Sequence, residues 1–165
     1  MDAIFHRVSV RKFTNQPVEK EKILQILRAG MQAPSTGNQQ PWEFYVVTNP
    51  DKITALSKCH QYAGCAANAQ VLIVPVYRTE GLWLPQNAQI DMSICQENIW
   101  LETDSLGLGG VWLGIAPERD RMEKVAEILD LPANLEAFSI FVLGYPAEAR
   151  EQQNRFDESR IHFVN

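Results

Sequence analysis

The sequence predicts one domain, a sandwich of helices and sheet of α/β or α+β class. Segments with apolar residues at helical spacing alternate along the chain with short runs of β-branched and aromatic residues. No Gly/Ser linker, internal repeat or low-complexity stretch interrupts that alternation. At 165 residues the chain is long enough to bury a core without disulfides or a structural metal.

The elements follow in order. From Glu19 to Met31, the residues Ile23, Ile26, Leu27, Gly30 and Met31 fall on one helical stripe, with Leu24 beside it. Pro34 and Gly37 then break the helix, because proline disfavours the helical conformation at Ala33 and glycine admits an unusual turn. Trp42 to Thr48 reads as a strand. Asn49-Pro50-Asp51 is a helix start, with Asn as cap and Pro in the first turn, and a short helix runs through Ser57. Val71 to Tyr77 is a buried-type strand in which Pro75 removes one ladder donor, which points to an edge or a bulge.

The longest helical pattern runs from about Asn87 to Ser105. Its apolar positions, Ile90, Ile94, Ile99 and Leu101 among them, cover much of its circumference, as in a central, buried helix. Gly107-Leu108-Gly109-Gly110 ends it. Val111 to Ile115 is a short strand, Pro117 opens a helix carrying Met122, Val125 and Leu129, and Phe138 to Leu143 is another strand closed by Gly144-Tyr145-Pro146. The tail beyond is polar until Ile161 to Val164, where β-type character returns. Such an isolated strand has few local partners, and a sheet in a second subunit is its natural mate.

Composition narrows the function. A net charge of −5 argues against nucleic acid or an anionic membrane as the main partner, although a local basic cluster can still hold an anion. No apolar run approaches the ~18 residues that span a bilayer. The opening residues, charged and alternating, have no apolar stretch for a signal peptide. Cys59, Cys65 and Cys95 form no C-x-x-C pair, fit a reducing compartment, and read as packing residues. The cytoplasm is the expected location. His6, His60 and His162 are scattered, so no metal site is expected.

Three constellations carry chemistry. In extended backbone, Arg7, Ser9 and Arg11 share one side while Val8 and Val10 face inward. Two guanidinium forks and a hydroxyl match phosphate oxygens, though surface arginines on a solvated edge give the same pattern. The run Ala33 to Trp42, with two prolines, a glycine and several short polar or amide side chains, is conformationally restricted and rich in donors and acceptors. It suits recognition of a planar polar ring, or simply a helix-to-strand turn. Finally, Gly107 to Gly114 is glycine-rich but fails the dinucleotide fingerprint. Trp112 stands where G-x-G-x-x-G needs glycine, and the glycines follow a helix and lead into a strand. No G-x-x-x-x-G-K-[ST] loop exists either. A helix cap before a buried strand explains these glycines, as does backbone passing close to a ligand.

Together these pieces resemble the nitroreductase family of FMN-dependent oxidoreductases. R-x-S-x-R from Arg7 to Arg11 with Phe13, P-S-x-x-N-x-Q-P-W from Pro34 to Trp42, G-L-G-x-x-W-L-G from Gly107 to Gly114 and G-Y-P at Gly144 to Pro146 stand in the family's order across nearly the whole chain. The resemblance implies an α+β fold with a central mixed or antiparallel sheet flanked by helices. It also implies an intertwined homodimer with FMN at the interface, and a tail of about residues 150–165 exchanged between subunits. It assigns Arg7, Ser9 and Arg11 to the phosphate and ribityl end, completed by Arg155, with Arg150 as a substitute. Pro34, Ser35, Thr36 and Asn38 would lie beside the isoalloxazine from the partner subunit, and Trp112, Leu113 and Gly114 would line the ring's other face or edge. Gln61 falls near a family amide position, but its neighbours match poorly and it is not carried over.

By the same resemblance, NADH or NADPH reduces the flavin, which then reduces a small acceptor such as a nitroaromatic or a quinone. Other family reactions, reductive dehalogenation and flavin fragmentation, belong to relatives with extra lid segments for which this chain has little room. A flavin-binding protein without turnover is the reading from another class. Two departures bear on the acceptor: Ala69-Gln70 replaces a common Ala-Pro, and the insertion that often shapes the substrate channel is missing.

Overall fold

A computed structural model describes residues 3–152 and 154–164. Residues 1, 2, 153 and 165, the ends of the expected domain and parts of its tail, lie outside the described residues. The elements are α1 (Ala3–His6), α2 (Lys20–Met31), β1 (Trp42–Val47), α3 (Pro50–Leu56), β2 (Val71–Arg78), α4 (Ala88–Ser105), β3 (Gly109–Gly114), α5 (Arg119–Leu129), β4 (Leu135–Ala137) and β5 (Ser139–Gly144). One five-stranded sheet has the order β1-β2-β5-β3, with β4 also on β2, and every strand pair is antiparallel. An antiparallel sheet with packed helices is an α+β fold, which settles the class that the sequence pattern left open.

Local chemistry explains most boundaries. The Asn49 side chain accepts from the Asp51 and Lys52 amides and starts α3, with Pro50 in its first turn. At the end of α4, the Gly107 amide donates to the Asp104 carbonyl and the Leu108 amide to the Thr103 carbonyl, a Schellman closure. Strand β5 is buried at every residue and β2 at all but Arg78, so this central pair is covered on both faces. Helix α4 packs on β2 and β3, and α2 packs on α4. The Ser139 hydroxyl donates to Gln96 Oε1, tying β5 to α4. No helix among the described residues is long and apolar enough to cross a membrane.

Several expectations need correction. Pro75 lies in the middle of the sheet, opposite Phe44 on β1. Its carbonyl accepts from the Phe138 amide, and Phe138 is the break between β4 and β5. The missing proline N–H therefore faces a point where the neighbouring ladder is already interrupted. Helix α5 starts two residues beyond Pro117, at Arg119. Strand β4 was not expected, because three residues carry no periodic signal. Helix α4 buries Met92, Cys95, Gln96 and Ile99 but leaves Ile90 59% and Ile94 37% exposed, because one chain supplies no layer over that side.

The beginning of the tail lies against its own chain, where Gln152 Nε2 donates to the Arg7 carbonyl and Arg150 Nη1 to the Ser9 carbonyl. Residues 161–164 form no strand and are exposed, Val164 to 95%. A strand requires a ladder partner, and this chain presents none there.

Two buried acids give the fold an alkaline limit. Burial pushes the Cys95 thiol up to about 12, and burial with a hydrogen bond to Glu136 pushes the Tyr77 phenol up to about 12. Both folded-state values lie above the unfolded ones. The associated stability is complete below the unfolded values, roughly 8.5 and 10. It is lost as pH rises from there toward 12. Thermal melting should shift downward between pH 9 and 12, and Cys95→Ala should flatten the lower part of that fall; a pH-independent midpoint would contradict this.

Candidate functional site

The first half of the site is built on the outer edge of β3. Ser9 bridges Gly110 in parallel, and the Val10 amide donates to the Gly110 carbonyl at 2.9 Å. Phe13 bridges Pro146, and the Thr14 amide donates to the Tyr145 carbonyl. The segment is thus stitched to β3 and to the Gly-Tyr-Pro turn. Val10 is buried while Arg11 is exposed, and Arg7, Val8 and Ser9 are all half-buried.

The two motif arginines are used differently. Arg11 is exposed and lines a cavity of about 550 Å³ with His60, Gln61, Cys65, Trp112 and Gly114. Arg7 instead lays its guanidinium 4.1 Å from the Trp100 ring centroid, with Nε 3.5 Å from Glu97. Ser9 is half-buried, and its carbonyl is the acceptor for Arg150. Arg155 is exposed and has no ion pair among the described residues, so in this chain Arg150 is the late basic residue that reaches the segment.

Strand β3 forms the cavity's other wall. Gly110 directs its carbonyl away from β5, and by strand alternation Trp112 and Gly114 do the same with their peptide groups. The Gly114 carbonyl accepts from Arg121 Nη1 at 3.1 Å, which brings a second guanidinium to the cavity. Leu113 is buried, and the Trp112 ring rests 5.5 Å from the Phe138 ring between centroids. His60 Nδ1 accepts from the Tyr62 amide, and its buried Nε2 has no partner among the described residues. Desolvation first, then Arg121, lowers the His60 pKa and favours the neutral ring. Among the described residues no carboxylate lines this cavity and neither Arg11 nor Arg121 makes an ion pair, so two cations dominate it within a chain of net charge −5.

The second half is the loop after α2. Gly37, Asn38 and Gln40 all take positive φ, a sharply turned backbone that needs external support. Asp91 on α4 supplies it. This buried carboxylate accepts from the Thr36 amide at 2.9 Å, the Thr36 hydroxyl at 3.0 Å and Gln39 Nε2 at 2.6 Å. Ser35 Oγ accepts from the Gln40 amide, and Asn38 Oδ1 from Gln40 Nε2. Pro34 and Asn38 are exposed; Ser35 and Thr36 are half-buried. None of the four lines the Arg11 cavity, so within one chain the loop and the cavity stand apart.

Asp91, His60, Gln61 and Arg121 enter the site from outside the motifs. Asp91 had a faint signal, a carboxylate set between Ile90 and Met92. Arg121 had none, since only the fold brings it to Gly114. No group of three or more His, Cys, Asp or Glu is placed to hold a metal among the described residues.

The nitroreductase family model matches residues 4–61 and 57–145, across the first three motifs and into the fourth but not the tail. The chain belongs to the nitroreductase family. An Archaeoglobus fulgidus relative, named for NADH dehydrogenase and NAD(P)H nitroreductase activity, is 36% identical over 96% of this chain and 94% of its own length. A Clostridium acetobutylicum crystal structure named for an NADH oxidase superposes with a TM-score of 0.96 at 40% identity, covering 99% of both chains. A family structure from Desulfovibrio desulfuricans, solved in complex with FMN, reaches a TM-score of 0.83 at 27% identity, over 99% of this chain and 94% of that one. This family member is therefore matched over almost its full length.

Proposed function

We propose that this nitroreductase holds FMN non-covalently and transfers hydride from NADH or NADPH to a small acceptor, a nitroaromatic or a quinone. The observation that carries the reading is the Arg11 cavity, which joins cationic side chains to the free edge of β3. Its volume lies within the range of small-ligand clefts, roughly 300–1,000 Å³.

The residues present fit such a cofactor. Arg11 with Ser9 offers charge-assisted bonds for the phosphate, Arg7 lies on the same segment with its guanidinium held by Trp100 and Glu97, and Arg150 is the late basic residue that reaches it. Trp112, Leu113 and Gly114 bring backbone against the ring, where an outward N–H stabilises negative charge much as an oxyanion-hole donor does. Gln61 adds an amide to the same wall. When bound, FMN supplies the hydride chemistry; the protein supplies binding, orientation and electrostatics.

We place the complete site between two copies of the chain. Pro34, Ser35, Thr36 and Asn38 would come from the second subunit, which explains why they stand apart from the Arg11 cavity. Exposed Ile90 and Ile94 offer apolar surface for that interface, and residues 154–164 offer a tail to exchange. Three free cysteines fit the cytoplasm.

One experiment tests the reading. Purified protein should run as a yellow dimer, and NADH or NADPH should bleach it anaerobically. Arg7→Ala combined with Arg11→Ala should lose most of the bound flavin. A yellow double variant with unchanged flavin content removes the phosphate assignment, and a yellow protein that neither nicotinamide bleaches removes the enzyme.

A further inference from the structure

Trp83 stands in the short connection between β2 and α4. Its indole is 73% exposed, an unusual position for the largest apolar side chain. It is nonetheless held in place. A Cβ built on Gly37 would lie 2.3 Å from Trp83 Cε3, so the indole rests directly on the Gly37 backbone, and only glycine leaves it room.

The backbone beside Trp83 is fixed as well. Gln39 Oε1 accepts from the Leu84 amide at 3.0 Å, while Gln39 Nε2 donates to the Leu84 carbonyl at 3.2 Å. Asn87 Nδ2 donates to Thr36 Oγ1 at 3.1 Å. Gln39 and Thr36 both lead to the buried Asp91, so the connection and the Pro34–Asn38 loop move as one unit. A ring that is exposed yet immobilised at its base is arranged to contact something outside this chain.

We propose that Trp83 is the stacking platform for a planar aromatic acceptor, presented on the same rigid unit as the loop beside the flavin. The inference rests on the proposed placement of Pro34–Asn38 against the isoalloxazine. It adds to that reading the residue that positions the acceptor. The acceptor packs offset or edge-on against the indole, the geometries aromatic pairs favour. Trp83 here fixes the acceptor's position and takes no part in electron transfer.

The test uses the flavin-loaded protein with two acceptors, 1,4-naphthoquinone and ferricyanide, which has no aromatic ring. Trp83→Leu keeps an apolar cover over Gly37 and removes the ring. It should retain flavin and bleach fully with a nicotinamide. Its KM for naphthoquinone should rise about three- to tenfold, the scale of one aromatic pair. The ferricyanide KM should not change, and Trp83→Phe should recover most of the loss. An unchanged naphthoquinone KM, an equal change for both acceptors, or no recovery with Phe would overturn the proposal. Flavin loss in Trp83→Leu would also overturn it, by making Trp83 part of the flavin seat. Colourless wild-type protein would instead defeat the underlying flavin assignment, a result visible before any variant is made.

Discussion

Asp91→Ala should destabilise the protein by roughly 2–5 kcal/mol and empty the flavin site, because one buried carboxylate holds the whole post-α2 loop in place. Removing it leaves the Thr36 amide and one hydrogen of Gln39 Nε2 without an acceptor; each orphaned donor costs about 1–3 kcal/mol. The loop cannot relax cheaply. Gly37, Asn38 and Gln40 already have positive φ, and the Gln39 amide is committed to both backbone groups of Leu84. Asp91→Asn should recover only part of the loss. One amide oxygen can still serve Thr36, but the new NH2 then meets Gln39 Nε2, donor against donor. Denaturant unfolding and flavin-to-protein ratio measure the two effects. An Asp91→Ala midpoint equal to wild type would show that the loop is held by something else.

That network illustrates what the sequence could and could not disclose. Features written in local chemistry were legible: the Asn49-Pro50 start of α3, the glycine end of α4, and the β-branched runs of β1, β2 and β5. The four motifs were legible because each is contiguous and their order is informative. Partnerships made only by the fold were not. Nothing near Arg7 announces that Trp100, far along the chain, takes its guanidinium, and nothing near Gly114 announces Arg121.

The surface of α4 shows a different kind of illegibility. Apolar residues around most of a helix predict burial, yet Ile90 and Ile94 are exposed in the single chain. The pattern reports what the residue types favour and does not distinguish a layer of the same chain from a layer of another. The same ambiguity governs Ile161 to Val164, whose β-type residues have no ladder in this chain. Pro75 is the opposite case, an apparently disruptive residue tolerated because Phe138 interrupts the neighbouring strand at that point.

Gly110→Ala should be the most damaging exchange of a glycine in β3, because it strikes structure and site together. A Cβ there would stand 2.3 Å from Phe141 Cζ and no more than 3.0 Å from Cε1 and Cε2. The ring has nowhere to go: Phe141 is fully buried and packs edge-on against Trp100, 5.9 Å between centroids. Overpacking of this kind costs roughly 1–3 kcal/mol. The backbone is pinned on its other side, where the Gly110 carbonyl accepts from Val10. Any retreat of β3 from Phe141 pushes the segment carrying Ser9 and Arg11, so flavin content should fall further than the stability loss alone explains. Gly114→Ala is the control for folding, since a Cβ there meets nothing within 4 Å. Combining Gly110→Ala with Phe141→Leu should relieve the clash, making the double variant more stable than the sum of the single losses by about 1–3 kcal/mol. Strict additivity in denaturant unfolding would mean that the Phe141 ring does not set the limit on this strand, and that the glycine is kept for the close approach of a ligand alone.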